Sequence, residues 1–295
     1  DITISLLDKA LSRLTELQNN RSGFSYAKGG QLGTEPSALA GLALLAQKET
    51  TSHSLKTAKF LAHIQQADGS LGLFPNLPLP KWTTSLALLL WSAHKEAFIN
   101  NKRLATTWLL QNKGVTFPHA KDKDHDNSIP GWPWFEENYS WIEPTCYALL
   151  ALHKVGKVDH QRCKDGFRLL VDRALPAGGW NYGSVSLYGR PLRPQIPTTG
   201  ITLLTLSISP TPPPKAVIDK ACHYLQDGLA KTLTPKSLGW TILGLRAWNS
   251  LPKGHEELLA QCWGRYASLT DNALELALFC LAAWPHSLRY IANDK

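Results

Sequence analysis

The chain alternates two kinds of helical segment six times. One kind is amphipathic, and these segments begin near Ile4, His53, Asn101, Gln161, Lys215 and His255. The other kind is apolar on nearly all sides, and these segments begin near Glu35, Trp82, Glu143, Thr198, Ser237 and Asp271. A helix that is apolar all round must be buried, whereas a helix with one apolar stripe lies at a surface. The alternation therefore predicts two concentric layers, with the apolar helices inside.

The end of the chain indicates how these layers close. The last apolar segment, 272–283, is as apolar as those in the middle of the sequence. An open array of repeats needs polar terminal units. We therefore expect an all-α fold, an (α/α)6 toroid of six helical hairpins that spans residues 1–295 as a single domain. Small residues on the inner segments, such as Gly41, Gly200 and Gly244, would let neighbouring helices approach closely.

Composition narrows the class of protein. The hydrophobic fraction of 43% and the charged fraction of 18% are typical of a folded globule. The chain contains no run of eighteen uncharged apolar residues, so a transmembrane helix is not expected. The five cysteines are scattered and form no C-x-x-C pair, which favours reduced thiols and a cytoplasmic location. The net charge of +8 comes from basic residues spread in ones and twos, which argues against nucleic-acid binding.

The loops that join outer to inner segments carry the candidate site. Four of them are long and rich in glycine and aromatic residues, and they cover 18–33, 66–80, 111–141 and 176–197. Long loops on one rim of a rigid scaffold are where sites are usually built. All of these loops lead to the N-terminal ends of inner helices, where the partial positive charge favours acids and anions.

Glu143 is the candidate catalytic residue. It lies at the start of an inner segment, followed by Pro144 at the position where a helix best tolerates proline. Three tryptophans, Trp132, Trp134 and Trp141, come just before it. Burial among indole rings should raise the pKa of a carboxyl group, and such a group can act as a general acid near neutral pH. The alternative is structural, because Glu35-Pro36 repeats the same pattern and an acid there would complement the helix dipole.

The other candidate residues are predicted to line an apolar cavity at the same rim. The aromatic candidates are Trp82, Trp132, Trp134, Trp141, Trp180, Tyr182 and Trp240, and the polar candidates are Glu35, Cys146 and Asp271. Aromatic faces stabilise cations. Structural alternatives stay open: the tryptophans could plug the top of the toroid, Asp271 fits an N-cap, and Cys146 fits a buried apolar filler.

Residues 119–126 contain two histidines and three alternating aspartates. The Asp-x-Asp-x-Asp spacing is typical of calcium loops, but the turn glycine and the terminal glutamate of an EF-hand are missing. Lys121 and Lys123 interleave and would repel a cation. We expect a solvated loop, or a lid over the cavity, with neither a metal ion nor a cofactor.

The long loops also carry a repeated motif. Its copies are Gln18…Gly23-Phe24, Gln66-Ala-Asp-Gly69…Phe74, Gln111-Asn-Lys-Gly114…Phe117 and Gly178-Gly179-Trp180. This pattern resembles the Q-x-x-x-G-x-W repeat of the terpene cyclase and prenyltransferase proteins, and the resemblance covers essentially the whole chain. It implies an α/α toroid that handles isoprenoids.

Within that group, residues 131–152 are most similar to the segment around the catalytic acid of squalene–hopene cyclases and other class II terpene cyclases. Matching Thr145 and the Leu-Ala-Leu ending places Glu143 at the central aspartate of the Asp-x-Asp-Asp motif, the proton donor. Trp141 and Pro144 stand at the first and last aspartates, so the motif itself is absent. Cys146-Tyr147 resembles part of the zinc site of protein prenyltransferases, but Pro144 replaces its aspartate and zinc is not expected.

Three functions remain open at this stage. The first is an isoprenoid-handling enzyme in which Glu143 protonates an alkene or epoxide, with a possible peripheral contact to a membrane. The second is a non-catalytic toroid that binds an apolar ligand or a protein partner. The third is a carbohydrate lyase or hydrolase, which needs paired carboxylates; Glu35 with Asp271 or Glu143 could supply them.

Overall fold

The computed structural model describes residues 1–293, and over these residues the predicted ring of helices is confirmed. The six outer helices are α1 (Ile2–Leu17), α3 (Thr51–Ile64), α5 (Ile99–Gln111), α7 (Gln161–Asp172), α9 (Lys215–Gly228) and α11 (His255–Cys262). The six inner helices are α2 (Thr34–Ala43), α4 (Thr84–Ala93), α6 (Ile142–Lys154), α8 (Ile196–Leu206), α10 (Pro235–Ala247) and α12 (Ala273–Ala283). Each of them starts within two residues of its predicted position.

The ring closes between its first and last units. Each inner helix packs on the next around the ring, and α12 packs on both α2 and α1. The Ala273 N–H donates to the carbonyl oxygen of Ser25 at 3.2 Å. The Arg13 guanidinium donates to the Thr270 carbonyl oxygen at 2.7 Å. Backbone and side-chain contacts therefore join the two ends of the described chain into one toroid.

The remaining elements are short. Strand β1 (Trp132–Pro133) pairs with β2 (Ser140–Trp141), and β3 (Ser186–Leu187) pairs with β4 (Arg190–Pro191), both antiparallel. These hairpins lie in the two long loops before α6 and α8. A π-helical turn, Trp263–Ala267, extends α11, and a short helix α13 (Leu288–Ile291) packs on α6 and α4. No helix within residues 1–293 is long and apolar enough to cross a bilayer.

Glycines set the close approach of α8 and α10. A β-carbon on Gly200 would lie 2.5 Å from the Trp240 carbonyl oxygen, and one on Gly244 would lie 2.5 Å from the Gly200 carbonyl oxygen. Because both contacts involve backbone, neither neighbour can move aside cheaply. The predicted role of these two glycines in inner-helix packing is confirmed.

A repeated hydrogen bond fixes four of the loops to their inner helices. In each case a hydroxyl in the first turn of the inner helix accepts a hydrogen bond from a loop backbone N–H. The pairs are Phe24 to Ser37 at 2.9 Å, Leu71 to Thr84 at 2.9 Å, Trp132 to Thr145 at 3.0 Å, and Trp180 to Thr199 at 3.0 Å. The loop side chain is buried in every copy. We call Ser37, Thr84, Thr145 and Thr199 the first-turn hydroxyls.

Glutamines at the ends of outer helices tie neighbouring units together. The Gln18 amide donates to the His53 carbonyl oxygen at 3.1 Å, and the Gln65 amide donates to the Asn101 carbonyl oxygen at 3.0 Å. The sequence motif pointed to Gln66 in the second unit. In the structure Gln65 makes the contact between units, and the Gln66 amide donates to the carbonyl oxygen of Pro78 in its own loop.

Candidate functional site

The first-turn hydroxyls define a register that places three side chains at one end of the ring. The residues two positions before Ser37, Thr84 and Thr145 are Glu35, Trp82 and Glu143. Each of the three is half-buried, at the N-terminal mouth of its inner helix. The repeated hydrogen bond therefore holds two carboxyl groups and one indole at equivalent positions of three neighbouring units.

Four aromatic rings pack together at this mouth. The Tyr147 ring stacks on Trp82, with centroids 5.8 Å apart and an interplanar angle of 24°. Tyr147 also contacts Trp240, with centroids 6.2 Å apart, and Trp82 meets Trp134 edge to face at 4.8 Å. Tyr147 and Trp240 are buried. We call these four residues the central aromatic cluster.

Glu143 lies one helical turn before Tyr147, on the same face of α6. Its Oε1 accepts a hydrogen bond from the Thr198 hydroxyl at 2.9 Å. Burial raises the pKa of Glu143 above its ordinary value, and the Lys236 charge and the Thr198 hydrogen bond oppose that rise. The result is a carboxyl group that holds its proton to a higher pH than an exposed glutamate does.

Glu35 occupies the matching position on α2 and has a different donor. The Tyr26 hydroxyl donates to Glu35 Oε1 at 2.6 Å. Burial raises the pKa of Glu35, while the Tyr26 hydrogen bond and the Lys236 charge lower it and the Glu143 charge raises it. The Glu143 charge therefore acts on the ionisation of Glu35, and the charge of Lys236, an exposed residue in the first turn of α10, acts on both carboxyl groups.

Trp132 and Trp180 do not join the central aromatic cluster. Each indole N–H donates to a carbonyl oxygen of the outer helix that precedes it, Trp132 to Leu109 at 2.9 Å and Trp180 to Leu170 at 2.7 Å. The Arg162 guanidinium also lies 3.9 Å from the Trp132 ring centroid. Both side chains fill the space between the two layers, because the hydrogen bond to a first-turn hydroxyl turns the loop outward at these positions.

Trp141 lies at a cavity outside the central aromatic cluster. Together with Arg173 and His125 it lines a cavity of about 290 Å³ between the loops that precede α6 and α8. Its indole N–H is buried and has no hydrogen-bond partner within residues 1–293. Tyr182 reaches this region through its backbone, since its carbonyl oxygen accepts from the Ile142 N–H at 2.8 Å, and its side chain is exposed.

Asp271 lies at the seam where the ring closes. Its carboxylate pairs with Arg13 at 2.9 Å, and its side chain is 44% exposed. The prediction that Asp271 caps α12 is wrong by one residue: the Asn272 Oδ1 accepts from the Leu274 N–H at 3.0 Å. A carboxylate satisfied by an arginine at the seam stands apart from Glu35 and Glu143.

Cys146 is buried on the inner helix α6. Its thiol contacts the Thr202 hydroxyl at 3.7 Å, and burial raises the pKa of Cys146 to about 12, so the thiol keeps its proton. All five cysteines of the chain are free and buried.

Two of the three carboxylates of the 119–126 loop, Asp124 and Asp126, have partners within the protein. His119 lies 3.4 Å from Asp126, Asp126 also accepts from the Ser128 hydroxyl, and Asp124 contacts Ser186 of the neighbouring loop. Within the described residues, no group of three or more His, Cys, Asp or Glu side chains is placed to hold a metal ion.

Four polar residues of this site were not among the sequence candidates: Tyr26, Tyr147, Thr198 and Lys236. Tyr147 could have been found, because it lies four residues after Glu143 and such residues share a helix face. Lys236 stands four residues before Trp240 in the same way. Tyr26 reaches Glu35 through the shape of its loop, which no spacing rule describes.

Comparison with known proteins supports the fold. No family model and no curated protein matches the chain. The type II terpene cyclase MstE from Scytonema, in complex with geranylgeranyl dihydroxybenzoate, matches with a TM-score of 0.65 at 13% identity, over 98% of this chain and 98% of that one. An inactive variant of an α-1,6-mannanase from Salegentibacter, in complex with α-1,6-mannotriose, matches with a TM-score of 0.63 at 10% identity, over 97% and 99%.

A further match is a novel α-amylase from Clostridium perfringens, with a TM-score of 0.61 at 10% identity, over 95% of this chain and 98% of that one. At such identities the similarity shows the toroid fold alone. The matched proteins are enzymes of two chemistries, so the choice between them depends on the residues of this chain.

Proposed function

We propose that this protein is an isoprenoid-handling enzyme in which Glu143 protonates an alkene or epoxide and so starts a cyclisation or isomerisation. One observation carries the proposal: the half-buried carboxyl group of Glu143, whose pKa is raised by burial, lies at the N-terminal end of α6, next to four packed aromatic rings. The type II terpene cyclase with the same fold was solved with a prenylated substrate and with a product, which agrees with this chemistry.

The surroundings of Glu143 suit the two halves of such a reaction. A carboxyl group that stays protonated near neutral pH can deliver its proton to a carbon–carbon double bond. The positive charge that forms on carbon then faces the rings of Trp82, Tyr147 and Trp240, whose π-electrons attract cations. Tyr147 and Trp240 are buried, which limits the access of water to that cation.

The test is a turnover assay with the wild type and Glu143→Gln. Candidate substrates are prenylated compounds with a terminal alkene, such as geranylgeranyl dihydroxybenzoate, and products are separated by gas chromatography with mass detection. Consumption by the wild type and loss of at least about 10²-fold in the variant would support the proposal. Tight binding without consumption by the wild type would favour the non-catalytic binding toroid.

A carbohydrate-active enzyme is the second candidate, and one observation favours it. Glu35 and Glu143 form a pair of carboxyl groups in which the Glu143 charge raises the pKa of Glu35, and glycosidases use pairs of carboxyl groups. The matched mannanase and amylase share the fold. The pair that this function needs is Glu35 with Glu143, because Asp271 is bound to Arg13. Release of reducing sugar from α-1,6-mannotriose by the wild type, abolished in both Glu→Gln variants, would establish it in place of the isoprenoid chemistry.

The contact with a membrane stays a prediction. The loops that lead to the mouth expose several large apolar side chains, namely Leu77, Leu79, Phe135, Leu187 and Tyr188. An isoprenoid dissolved in a bilayer would enter the mouth from that side. Flotation of the protein with liposomes, compared with a Phe135→Ser/Tyr188→Ser variant, tests this contact.

A further inference from the structure

The cavity between the loops that precede α6 and α8 has a lining of two characters. Val115, Ile129 and Tyr139 contribute apolar surface, and Trp141 and Arg173 contribute polar groups. The cavity volume is about 290 Å³. Because a water molecule takes up about 30 Å³ in the liquid, the cavity has room for a small organic molecule. A concave site that combines apolar side chains with a few placed polar groups is typical of small-molecule binding.

Trp141 differs from three buried tryptophans of the toroid in its indole N–H. The indole N–H groups of Trp91, Trp132 and Trp180 donate to carbonyl oxygens of neighbouring outer helices at 3.0, 2.9 and 2.7 Å. The Nε1 of Trp141 is also buried, but it has no partner within residues 1–293. A buried donor without an acceptor costs free energy, and a bound molecule is one explanation for such a group. An oxygen atom in the cavity would satisfy it.

Arg173 adds further donors and a positive charge. Its side chain is 6% exposed. It donates to the Asp172 carboxylate at 3.2 Å, to the Gly183 carbonyl oxygen at 3.0 Å and to the Asp126 carbonyl oxygen at 3.1 Å. Within residues 1–293 these bonds use three of the five N–H groups that a guanidinium offers. Two N–H groups of a buried cation that lines the cavity therefore remain for a ligand.

The carboxylates near Arg173 have donors of their own. Asp172 accepts from Arg173 and from the Asp126 N–H at 2.8 Å, and the Asp126 carboxylate accepts from the Ser128 hydroxyl at 2.6 Å. His125 also lines the cavity, and its buried Nδ1 has no partner in the described part of the chain. Burial and the Arg173 charge lower the pKa of His125, so its ring is neutral at neutral pH. The charged donor left to a ligand is thus Arg173.

We propose that this cavity binds a small carboxylate with a short apolar body. Its oxygens accept hydrogen bonds from the Trp141 indole and the Arg173 guanidinium, and its apolar body contacts Val115 and Ile129. A carboxylate suits these donors better than a neutral carbonyl group does, because hydrogen bonds between an arginine and a carboxylate are charge-assisted. The site is separate from the Glu143 carboxyl group, so this assignment stands or falls independently of the proposed function.

The first test titrates the ¹⁵N-labelled wild type with hexanoate and follows the indole N–H signals by NMR. The Trp141 signal, identified by its absence in Trp141→Phe, should move downfield in a saturable manner below about 50 mM, since so few contacts give a Kd on the order of millimolar. The signals of Trp91, Trp132 and Trp180 serve as internal controls and should stay in place, because their hydrogen bonds are already made.

Matched ligands test the two parts of the recognition. Hexanamide has the same length without the charge and should bind at least about tenfold more weakly. Acetate has the charge without the apolar body and should also bind at least about tenfold more weakly, because each buried CH₂ group contributes about fourfold. Equal affinities for hexanoate and hexanamide would overturn the carboxylate assignment.

Matched variants test the two donors. Arg173→Lys keeps the charge but loses the planar fork of the guanidinium, so hexanoate binding by calorimetry should weaken about tenfold. Trp141→Phe removes the indole donor and should weaken it by a similar factor. Arg190→Lys, an exposed arginine of the neighbouring β-hairpin, is the control and should bind hexanoate as the wild type does.

Two results would overturn the proposal. One is a Trp141 signal that does not move, or moves without saturation, when hexanoate is added to the wild type, because the cavity would then hold water alone. The other is an equal loss of affinity in Arg173→Lys and Arg190→Lys, which would indicate nonspecific attraction to basic side chains. The titration of the wild type decides the first point even if a variant fails to fold.

Discussion

The N-terminal ends of α2 and α6 carry nearly the same short sequence, but their carboxyl groups have different hydrogen-bond partners. Glu35-Pro36-Ser37 and Glu143-Pro144-Thr145 share their register, and in both the hydroxyl accepts a backbone N–H of the preceding loop. The carboxyl groups then meet different partners, a phenol for Glu35 and a threonine hydroxyl for Glu143. The repeated sequence sets the position of each carboxyl group, whereas the loops and the neighbouring helices supply its hydrogen-bond partner.

The two copies of this sequence therefore differ in the hydrogen-bond partners of their carboxyl groups. An acid at the start of a helix is stabilised by the helix dipole whatever its function. The Tyr26 phenol shifts Glu35 towards the carboxylate form. Burial is the largest influence on both carboxyl groups and raises the pKa of each. At Glu35 the Tyr26 hydrogen bond is the first influence that opposes it, whereas at Glu143 the Lys236 charge comes before the Thr198 hydrogen bond.

The largest effect expected from this comparison is on turnover. Glu143→Gln removes the transferable proton and should lower turnover of a prenyl substrate by about 10²-fold or more. Glu35→Gln, the matched control in the same motif, should cost less than about tenfold. Single-turnover rates measured for both variants check the difference, and equal losses would show that the two mouths do not divide the roles.

The next effect is on stability and should be the same at both mouths. Ser37→Ala and Thr145→Val each leave a buried loop N–H without its acceptor, which costs about 1–3 kcal/mol of unfolding free energy. Thr205→Val is the control, because that hydroxyl donates to the Ile201 carbonyl oxygen of its own helix and faces the Cys146 thiol instead of a loop N–H. Denaturant unfolding gives the values. A cost for Thr205→Val equal to the other two would show that the first-turn hydroxyls have no special role.

The pH dependence of stability tests the raised pKa values. Burial raises the pKa of Glu35 and Glu143 in the folded protein, so the folded protein binds more protons than the unfolded chain between pH 4.5 and the raised values. The unfolding free energy should therefore fall as pH rises through that window, by about 1.4 kcal/mol for each tenfold change in proton affinity. The double variant Glu35→Gln/Glu143→Gln should lose this part of the slope in thermal unfolding scans; an unchanged slope would mean that both acids titrate normally.

The smallest effect is a shift in the pH profile of activity. Thr198→Val removes a hydrogen bond that favours the charged form of Glu143, so the pKa of Glu143 should rise further. The alkaline limb of the pH–rate profile should move to higher pH. Tyr26→Phe, which acts on Glu35, should leave that limb in place. If the alkaline limb moved in Tyr26→Phe and not in Thr198→Val, Glu35 and not Glu143 would be the group whose ionisation limits activity.

Most of the fold could be predicted from the sequence, because the faces of a helix that are buried determine the positions at which its apolar residues recur. The inner segments read as apolar on all sides, as 198–206 does, and the structure buries them on all sides. The close approach at Gly200 and Gly244 follows from the same pattern. The exact helix boundaries could not be predicted in the same way. The N-cap of α12 is Asn272 and not Asp271, because both of these adjacent residues have side chains that can cap a helix.

The site could be predicted only in part, for physical reasons. The shared register of Glu35 and Glu143 is visible in the sequence. The outward placement of Trp132 and Trp180 is not, since it depends on a backbone hydrogen bond to a residue 13 or 19 positions away. Lys236 acts on both carboxyl groups from α10, and that proximity exists only once the hairpins have packed into the ring. Tyr26 reaches Glu35 from the loop of the same hairpin, and only the folded shape of that loop brings the two together.

The central claim is that Glu143 starts the reaction by delivering a proton to carbon. Turnover of a prenyl substrate in D₂O, followed by mass spectrometry of the product, tests it most directly. The wild type should add one deuterium at the protonated carbon of each product molecule, and Glu143→Gln should form that labelled product at least about 10²-fold more slowly. A product without deuterium, or the same labelled product formed by Glu143→Gln at the wild-type rate, would contradict the account.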